Sequence, residues 1–162
     1  MHSDAAEYNS GYADAMKEVK WNGQPAFWKG VPCHQTPDDL WNYAETVWDE
    51  RPATVIEVGR GEGGTVMFLR DFGAIVLSVD VGDPVPAVSG AFVILDGDVY
   101  SAEVMRADLA TYSPLATTLV VCHTNREDWG AVKALRAWMP NHPEWEAFDV
   151  RHPTQHTWLK RI

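Results

Sequence analysis

Two carboxylates on either side of a glycine-rich turn are the residues with the clearest potential for chemistry. Glu57 lies in a short apolar run before the turn, and Asp80 ends a second one, near the roughly 20-residue offset of an acidic residue in dinucleotide sites. The turn contains Gly59, Gly61, Gly63 and Gly64. Glycines let the backbone approach a ligand closely, and an acidic residue placed like Asp80 can accept both hydroxyls of a ribose. The pattern predicts part of a nucleoside-cofactor site.

The charge of Glu57 discriminates between two nucleoside cofactors. Its side chain precedes the first glycine by two residues. A carboxylate there can bind a cationic amino-acid group, whereas it would repel a pyrophosphate. The pattern therefore favours S-adenosylmethionine over NAD, and the candidate cofactor-binding residues are Glu57, Gly59, Gly61, Gly63 and Asp80. Glycine turns also occur as packing devices between a strand and a helix, and the sequence leaves that alternative open.

Strands and helices must hold this turn at the edge of a sheet. Apolar runs predict strands at residues 54–58, 74–79, 91–95 and 117–121, and two further runs at 144–150 and 156–162 predict an antiparallel hairpin. Helices are predicted from about Gly63 to Phe72, from Pro37 to about Glu50 after a Thr36 cap, from a Ser101 cap to about Tyr112, and from about Glu127 to Met139. This order predicts an α/β fold: a Rossmann-like three-layer sandwich with a mainly parallel sheet and a C-terminal antiparallel hairpin. Ligands of such sheets bind beyond the carboxyl ends of the strands.

The chain length suits one domain with a substantial core, since its 162 residues are 46% hydrophobic. We divide this single domain, residues 1–162, into an N-terminal segment, residues 1–36, and a Rossmann-like core, residues 37–162. Residues 4–20 are compatible with a marginal amphipathic helix that caps the domain or meets a partner. Residues 21–37 are rich in Pro, Gly and aromatic residues, which predicts an ordered loop that forms either a pocket wall or a packing strap. A homo-oligomer formed through the N-terminal segment is a further hypothesis.

Charge and composition exclude several classes of partner. The net charge of −10 argues against a nucleic-acid binder, which needs clustered Lys and Arg, and favours a small-molecule or protein partner. No apolar run approaches the roughly 20 residues of a membrane span, and the polar start lacks the pattern of a signal peptide. Two cysteines make no disulfide framework and suit a reducing compartment. We therefore expect a cytoplasmic protein.

Longer blocks of sequence add information through their order. From Trp28 onward they read WKGVP, PDDLWNYAETVWDERP, VIEVGRGEGGTVMFL, VLSVD, VILDGDVYSAEVMRADLATYSPLA, TLVVCHTN and HTWLKRI. In this order they resemble the cephalosporin-hydroxylase-like and rhamnosyl O-methyltransferase-like family of class I S-adenosylmethionine-dependent methyltransferases. The resemblance implies a reduced class I methyltransferase fold, S-adenosylmethionine held by Glu57, Gly59, Gly61 and Asp80, and a divalent metal beside the methyl group.

Three departures from the family pattern bear on the site. Residues 81–90 stand where the family usually has another strand and helix that help to hold the adenine. The family pattern Leu-Asp-x-Asp-His reads LDGDV here, with Val99 in place of the histidine. The family's next strand ends in Glu-Asp, whereas this chain has Cys122 and His123. Because magnesium strongly prefers oxygen ligands, these losses should weaken its binding and leave Asp96 as the remaining candidate metal ligand.

Cys122 and His123 leave two interpretations open. Thiolate, imidazole and carboxylate are all zinc ligands, so Asp96, Cys122 and His123 together suggest a zinc site. Adjacent residues on a strand point to opposite faces, however, which favours a buried structural Cys122 and an exposed or hydrogen-bonded His123. Three further histidines are scattered in loops and show no spacing signal: His34, His152 and His156.

The resulting functional hypothesis is methyl transfer to a hydroxyl of a small molecule or sugar, if the site is active. The protein would align the acceptor and remove its proton, with Asp96 or Asp98 as the preferred base and His123 as the next candidate. Asp98 has an alternative role as a cap of the turn before the next helix. A second hypothesis is a catalytically degenerate methyltransferase fold that acts as a binding or assembly module. An NAD-type oxidoreductase is disfavoured because Glu57 would oppose a pyrophosphate.

Overall fold

The computed structural model describes residues 26–162. Its strands are β1 (Phe27–Trp28), β2 (Val31–Pro32), β3 (Val55–Val58), β4 (Val76–Val79), β5 (Ala91–Leu95), β6 (Ala116–Val121), β7 (Trp145–Ala147) and β8 (Thr157–Arg161). Its α-helices are α1 (Pro37–Glu50), α2 (Gly64–Asp71), α3 (Ala102–Tyr112) and α4 (Gly130–Trp138), with short 3-10 helices at Ser113–Leu115 and Met139–Asn141. The helix and the oligomer contact predicted for the N-terminal segment lie outside the described residues.

A six-stranded sheet forms the centre of the molecule, in the order β4-β3-β5-β6-β8-β7. β3 pairs in parallel with both β4 and β5, and β5 pairs in parallel with β6. β8 runs antiparallel to both of its neighbours, β6 and β7. The predicted sheet, mainly parallel with a C-terminal antiparallel hairpin, is therefore confirmed, although the hairpin strands are shorter than predicted.

Helices cover both faces of this sheet. On one face α1 and α2 pack onto it, and the buried cluster includes Leu40, Phe68, Leu69, Phe92 and Trp158. On the other face α3 and α4 pack onto it, and the buried cluster includes Ile56, Val93, Met105, Leu109 and Leu135. The central strands are mostly apolar because both of their faces are buried. This confirms the predicted three-layer α/β sandwich.

Two helix starts follow from local capping chemistry. The Thr36 hydroxyl accepts a hydrogen bond from the Asp39 backbone N–H at 3.1 Å, and Pro37 occupies the first turn of α1. The Ser101 hydroxyl accepts one from the Val104 backbone N–H at 3.2 Å at the start of α3. Each cap satisfies a backbone donor that the helix itself leaves without a partner. Both N-terminal predictions were correct.

The ordered loop predicted at residues 21–37 contains a short hairpin in its described part, which is more regular structure than the sequence predicted. β1 and β2 pair as a two-stranded antiparallel hairpin with Trp28 opposite Val31. The Trp28 ring lies edge-on to Phe68 of α2, with 5.0 Å between ring centroids, and its Nε1–H donates to Asp71 at 2.6 Å. This hairpin therefore packs on the same face of the sheet as α2. The hairpin lies beside one side of the glycine turn.

Residues 81–90 contain neither helix nor strand and join β4 to β5. β4 is consequently an edge strand, paired with β3 alone. The linker is held in part by Val88, which packs against the buried cluster below α3 and α4. Within the part of the chain that the structure describes, no helix is both long enough and apolar enough to cross a bilayer.

Candidate functional site

The carboxyl ends of the parallel strands bring the predicted site residues to one edge of the sheet. Glu57 lies in β3, and Asp80 directly follows β4. Asp96 directly follows β5, and His123 lies two residues beyond the end of β6. Because neighbouring parallel strands end at the same edge, residues far apart in sequence converge there.

The glycines of the turn have two different roles. A Cβ added to Gly59, whose φ is +96°, would lie 2.3 Å from the carbonyl oxygen of Asp96, and a Cβ on Gly64 would lie 2.2 Å from that of Pro32. These two glycines allow close packing of backbone on backbone. Gly63, with φ +86°, caps α2 and has nothing within 4 Å of an added Cβ, so it faces open space. Gly59 and Gly64 thus fit the packing alternative, and Gly63 leaves space beside the turn.

Two cavities lie on either side of this turn. The larger has a volume of about 550 Å³ and is lined by residues that include Asp80, Val85, Asp98 and Asp108. The smaller has a volume of about 230 Å³ and is lined by residues that include Glu57, Gly63, Thr65 and His123. Both cavities share Gly59, Arg60, Gly61, Asp96 and Gly97 as lining residues. A ligand that spans both must therefore pass the glycine turn.

Glu57 is a buried carboxyl at the smaller cavity, with only 3% of its surface exposed. The Ser78 hydroxyl donates to its Oε2 at 2.9 Å. Burial raises the pKa of Glu57 from 4.5 to about 7, with a further contribution from Asp96, against the smaller opposing effect of the Ser78 hydrogen bond. A buried carboxyl of this kind gains most from a cationic ligand, which would stabilise the ionised form.

Asp80 stands at the mouth of the larger cavity and is exposed. Its Oδ1 accepts a hydrogen bond from the Val81 backbone N–H at 2.9 Å, and its own N–H donates to Asp83 at 3.0 Å. Arg60 crosses from the glycine turn to donate to Asp83 at 2.7 Å and to the Ser78 carbonyl at 3.0 Å. These contacts fix the loop that carries the Asp80 carboxylate.

Asp96 and His123 form a close pair where the two cavities meet. His123 Nε2 lies 3.2 Å from Asp96 Oδ1. Burial lowers the pKa of His123, but the hydrogen bond and the charge of Asp96 outweigh it, so the pKa is raised above its ordinary value. The backbone of His123 has a φ of +55°, which is uncommon for a residue with a side chain. The strand therefore ends in a bend that turns this imidazole toward Asp96.

A closed ring of hydrogen bonds supports that pair. The His123 backbone N–H donates to His156 Nδ1 at 3.0 Å, which makes His156 Nδ1 an acceptor. His156 Nε2 must then carry the proton that it shares with Gln35 Oε1, 2.7 Å away. The amide nitrogen of Gln35 donates to Asp96 Oδ2 at 2.6 Å. Both oxygens of Asp96 are thus positioned by nitrogen groups, one from Gln35 and one from His123.

The pKa of His156 is lowered, mainly by burial, although the nearby Asp39 opposes this effect. His156 Nε2 lies 3.5 Å from Asp39 Oδ2, and both side chains are almost fully buried. Asp39 Oδ1 also accepts a hydrogen bond from the Thr154 hydroxyl at 2.6 Å. The start of α1 and the loop before β8 are therefore joined behind the site.

Asp98 is placed as a cap of the turn that leads into α3. Its Oδ1 accepts from the backbone N–H groups of Tyr100 and Ser101, at 3.1 and 3.2 Å. The side chain is exposed and also lines the larger cavity. Asp98 is therefore separated from the smaller cavity, which His123 lines.

Cys122 points away from His123, into the apolar cluster on the α1 and α2 face. Its Sγ lies 3.4 Å from the Tyr43 hydroxyl, and burial raises the pKa of the thiol well above its ordinary value. Across residues 26–162, no group of three or more His, Cys, Asp or Glu side chains is arranged to hold a metal ion. The three side chains of the zinc hypothesis therefore do not converge.

Sequence reasoning missed Gln35, Asp39 and His156 as supporting residues of the site, and His34 as a lining residue. The His34 ring is paired with Glu62 beside Gly61, at the smaller cavity. Gln35 and His156 are 121 positions apart, so no local spacing relates them. The available signal was their location, since each lies in a short loop that leads into an element of the core.

Solved structures share this fold. A CmcI structure with SAH aligns with a TM-score of 0.62 at 13% sequence identity, covering 94% of this chain and 91% of that one. A CmcI structure with Mg-SAM aligns with a TM-score of 0.59 at 14% identity, covering 92% of this chain and 84% of that one. At this identity the likeness shows the fold alone. The chain therefore shares the mainly parallel α/β fold of these CmcI structures.

Sequence comparison leads to the same family. The family model described as Rhamnosyl O-methyltransferase/CmcI matches residues 21–85, which include Glu57, the glycine turn and Asp80. A rhamnosyl O-methyltransferase from Mycobacterium leprae (strain TN) is 30% identical over 87 residues, which are 54% of this chain and 34% of that protein. The chain spans about a third of the length of this curated relative. The resemblance predicted from the sequence is confirmed.

Proposed function

We propose that the chain binds S-adenosylmethionine across the two cavities and transfers its methyl group to a hydroxyl of a small molecule or sugar. The observation that carries this proposal is the pair of cavities joined at one glycine turn, with Glu57 in one and Asp80 in the other. The amino-acid end of the cofactor would occupy the smaller cavity. The adenosine would occupy the larger one.

Charge around the larger cavity supports a cationic cofactor. Five of its lining residues are aspartates: Asp80, Asp83, Asp96, Asp98 and Asp108. Among the described residues that line this cavity, Arg60 is the one with a basic side chain, and its guanidinium forms an ion pair with Asp83. A negative cavity attracts a sulfonium and repels a pyrophosphate. This argues against a dinucleotide.

The Asp96–His123 pair supplies acid–base chemistry for the transfer. With Nε2–H directed at Asp96, His123 keeps its Nδ1 lone pair for the proton of an acceptor hydroxyl. The acceptor oxygen would attack the methyl carbon in line, and the carbon–sulfur bond would break with its electrons passing to sulfur. Asp96 then acts as a positioning residue for His123, and Asp98, fixed as a turn cap, is the weaker base.

A magnesium ion does not suit the groups around Asp96. Magnesium requires several oxygen ligands, and both Asp96 oxygens are approached by nitrogen groups, one of them an imidazole whose pKa is raised. A metal at this point would face that imidazole at close range. The proposed reaction therefore includes no step through a metal.

A second candidate function is cofactor binding without transfer, as a binding module. It is favoured by Cys122, which occupies a family carboxylate position but is buried against Tyr43. Incubation with methyl-labelled S-adenosylmethionine and a panel of phenols and sugars separates the two candidates. Transfer that His123→Asn abolishes while cofactor binding persists supports the enzyme. Binding without transfer to any acceptor supports the module.

Isothermal calorimetry tests the cofactor assignment itself. We expect S-adenosylhomocysteine to bind with a dissociation constant in the micromolar range, and NADH to give no heat. Glu57→Gln should weaken binding. Glu146→Gln is the matched control and should leave binding unchanged, because Glu146 is exposed on β7 at the far edge of the sheet. No binding at high micromolar ligand would refute the proposed function.

A further inference from the structure

We propose that the Asp108 carboxylate accepts a hydrogen bond from the 6-amino group of the adenine. Helix α3 would then form the part of the pocket that selects the base. This inference rests on the proposed function and extends it to the recognition of the base. It assigns a role to a residue that neither the sequence pattern nor the family resemblance singled out.

The position of the base follows from the boundaries of the larger cavity. One boundary is the loop that begins at Asp80, and another is the face of α3 that carries Val104, Ala107, Asp108, Thr111 and Tyr112. If Asp80 holds the ribose, the base extends from it into the rest of this cavity. On the opposite side, residues 81–90 line the cavity with irregular backbone that contains neither helix nor strand. The α3 face therefore remains as the wall able to contact the edge of the base.

Asp108 presents a carboxyl acceptor in this wall. Its Oδ2 lies 3.3 Å from where a Cβ on Gly97 would stand, so the carboxyl reaches over the turn that follows β5. The side chain is half-buried, and burial raises the pKa of the Asp108 carboxyl with no opposing hydrogen bond or ion pair from residues 26–162. A partly buried carboxyl without a donor is stabilised by a ligand that brings one.

The surrounding side chains suit a flat, apolar ring. Val85 from the linker and Val104 and Ala107 from α3 line the same cavity as Asp108. Aliphatic groups of this kind can contact the two faces of a purine, and Asp108 would accept from its edge. Adenine presents an amino donor at position 6, whereas hypoxanthine presents a carbonyl acceptor there. A carboxylate at that edge therefore distinguishes the two bases.

Calorimetry with two ligands tests this inference. S-adenosylhomocysteine and S-inosylhomocysteine differ at position 6 of the base and share the groups expected to contact Glu57 and Asp80. We expect the wild-type chain to prefer the adenosyl ligand by about tenfold or more, the scale of one charged hydrogen bond. Asp108→Asn keeps the size of the side chain and adds an amide donor for the inosyl carbonyl. The preference should fall to about twofold or less.

Glu103→Gln is the matched control, because Glu103 is exposed on the same helix and does not line the cavity. It should leave the preference unchanged. An unchanged preference in Asp108→Asn, with wild-type affinity for S-adenosylhomocysteine, would overturn the assignment of Asp108 and leave the proposed function intact. Failure of the wild-type chain to bind S-adenosylhomocysteine would overturn both.

Discussion

Glu57 and Asp80 are both carboxylates, but their surroundings give them different properties. Glu57 is buried with a raised pKa and the Ser78 hydroxyl as its donor. Asp80 is exposed, and its Oδ1 is held by the Val81 backbone N–H. Burial disfavours the ionised form of Glu57, and a bound cation would stabilise that form. Asp80 presents a carboxylate whose orientation is fixed by its backbone contact. Each makes a distinct prediction for ligand binding.

The affinity for S-adenosylhomocysteine should depend on pH through Glu57. Its pKa of about 7 means that the group is largely neutral below that pH, while the ligand's amino group needs the carboxylate. Affinity should therefore rise by up to about tenfold per pH unit below 7 and level off above it. Calorimetry between about pH 5.5 and 8 measures this slope. Glu57→Gln should bind weakly at every pH, and a slope that survives in this variant would contradict the assignment.

Asp80→Asn should weaken the binding of S-adenosylhomocysteine by roughly 10- to 100-fold while the fold is kept, since hydrogen bonds to a charged group are worth about 1.5–3 kcal/mol. The asparagine carbonyl can still accept from Val81, but the second oxygen becomes an amide donor that faces the ribose hydroxyls. Calorimetry measures the loss, and Asp149→Asn, an exposed aspartate between β7 and β8, is the control. Unchanged affinity would refute the ribose assignment.

Residues near the turn could be predicted from local sequence, whereas their supporting partners could not. The glycine turn and its two acids lie within one strand-turn-helix-strand unit, so spacing alone brought them together. The ring that links Gln35, Asp96, His123 and His156 draws on four separate loops. Such contacts depend on how the elements pack, and no periodicity in the sequence reports them.

At the scale of elements, the backbone contact between the end of β3 and the end of β5 depends on the absence of a side chain at Gly59. The turn after β3 lies directly on the backbone of Asp96 and Gly97. This contact sets the separation of the two strand ends, and thereby the wall that the two cavities share. Gly63 has the same kind of positive φ without the contact, which makes the two glycines a matched pair.

Gly59→Ala should therefore destabilise the fold far more than Gly63→Ala. The first change combines a positive φ with a Cβ that would lie 2.3 Å from a carbonyl oxygen, and we expect a loss of about 3 kcal/mol or more. The second change carries the backbone cost alone, about 1–2 kcal/mol. Urea unfolding measures both free energies. Equal losses would show that the turn is free of the β5 backbone.

The two capped helix starts were predictable to the residue because their signals are local, whereas α4 begins at Gly130 and not at the predicted Glu127, and its N-cap residue Trp129 forms no side-chain cap. The caps at Thr36 and Ser101 each need a hydroxyl and a following backbone N–H, and both are adjacent in sequence. The β1–β2 hairpin gave no such signal, because strands of two residues have no periodicity. It is held by distant contacts, such as that of Trp28 with Phe68. Tertiary packing decided that part of the fold.

At the scale of the whole molecule, residues 81–90 form an irregular linker between β4 and β5, on one side of the candidate site. Beside this linker, the residues that flank β4 are open to solvent, with Ile75 66% exposed and Val81 97% exposed. The larger cavity nevertheless keeps walls, from this linker and from α3. In the proposed assignment, α3 contacts the base, and Glu57 and Asp80 contact the rest of the cofactor.

Ligand binding should stabilise the whole chain, because both cavities are built from elements that separate on unfolding. At a ligand concentration 100 times the dissociation constant, the gain is about 2.7 kcal/mol, which for a chain of this size raises Tm by roughly 5–10 °C. Thermal unfolding with and without S-adenosylhomocysteine measures the shift. The double variant Glu57→Gln, Asp80→Asn should show almost none, and an equal shift in that variant would place the ligand elsewhere.

The most direct measurement is a crystal structure of the chain with S-adenosylhomocysteine. The expected result is a single ligand that passes the glycine turn, with its amino group at Glu57, its ribose at Asp80 and its base against α3. A ligand bound away from that turn, or cavities filled by the chain's own side chains under saturating ligand, would contradict the assignment of this site to a methyl donor.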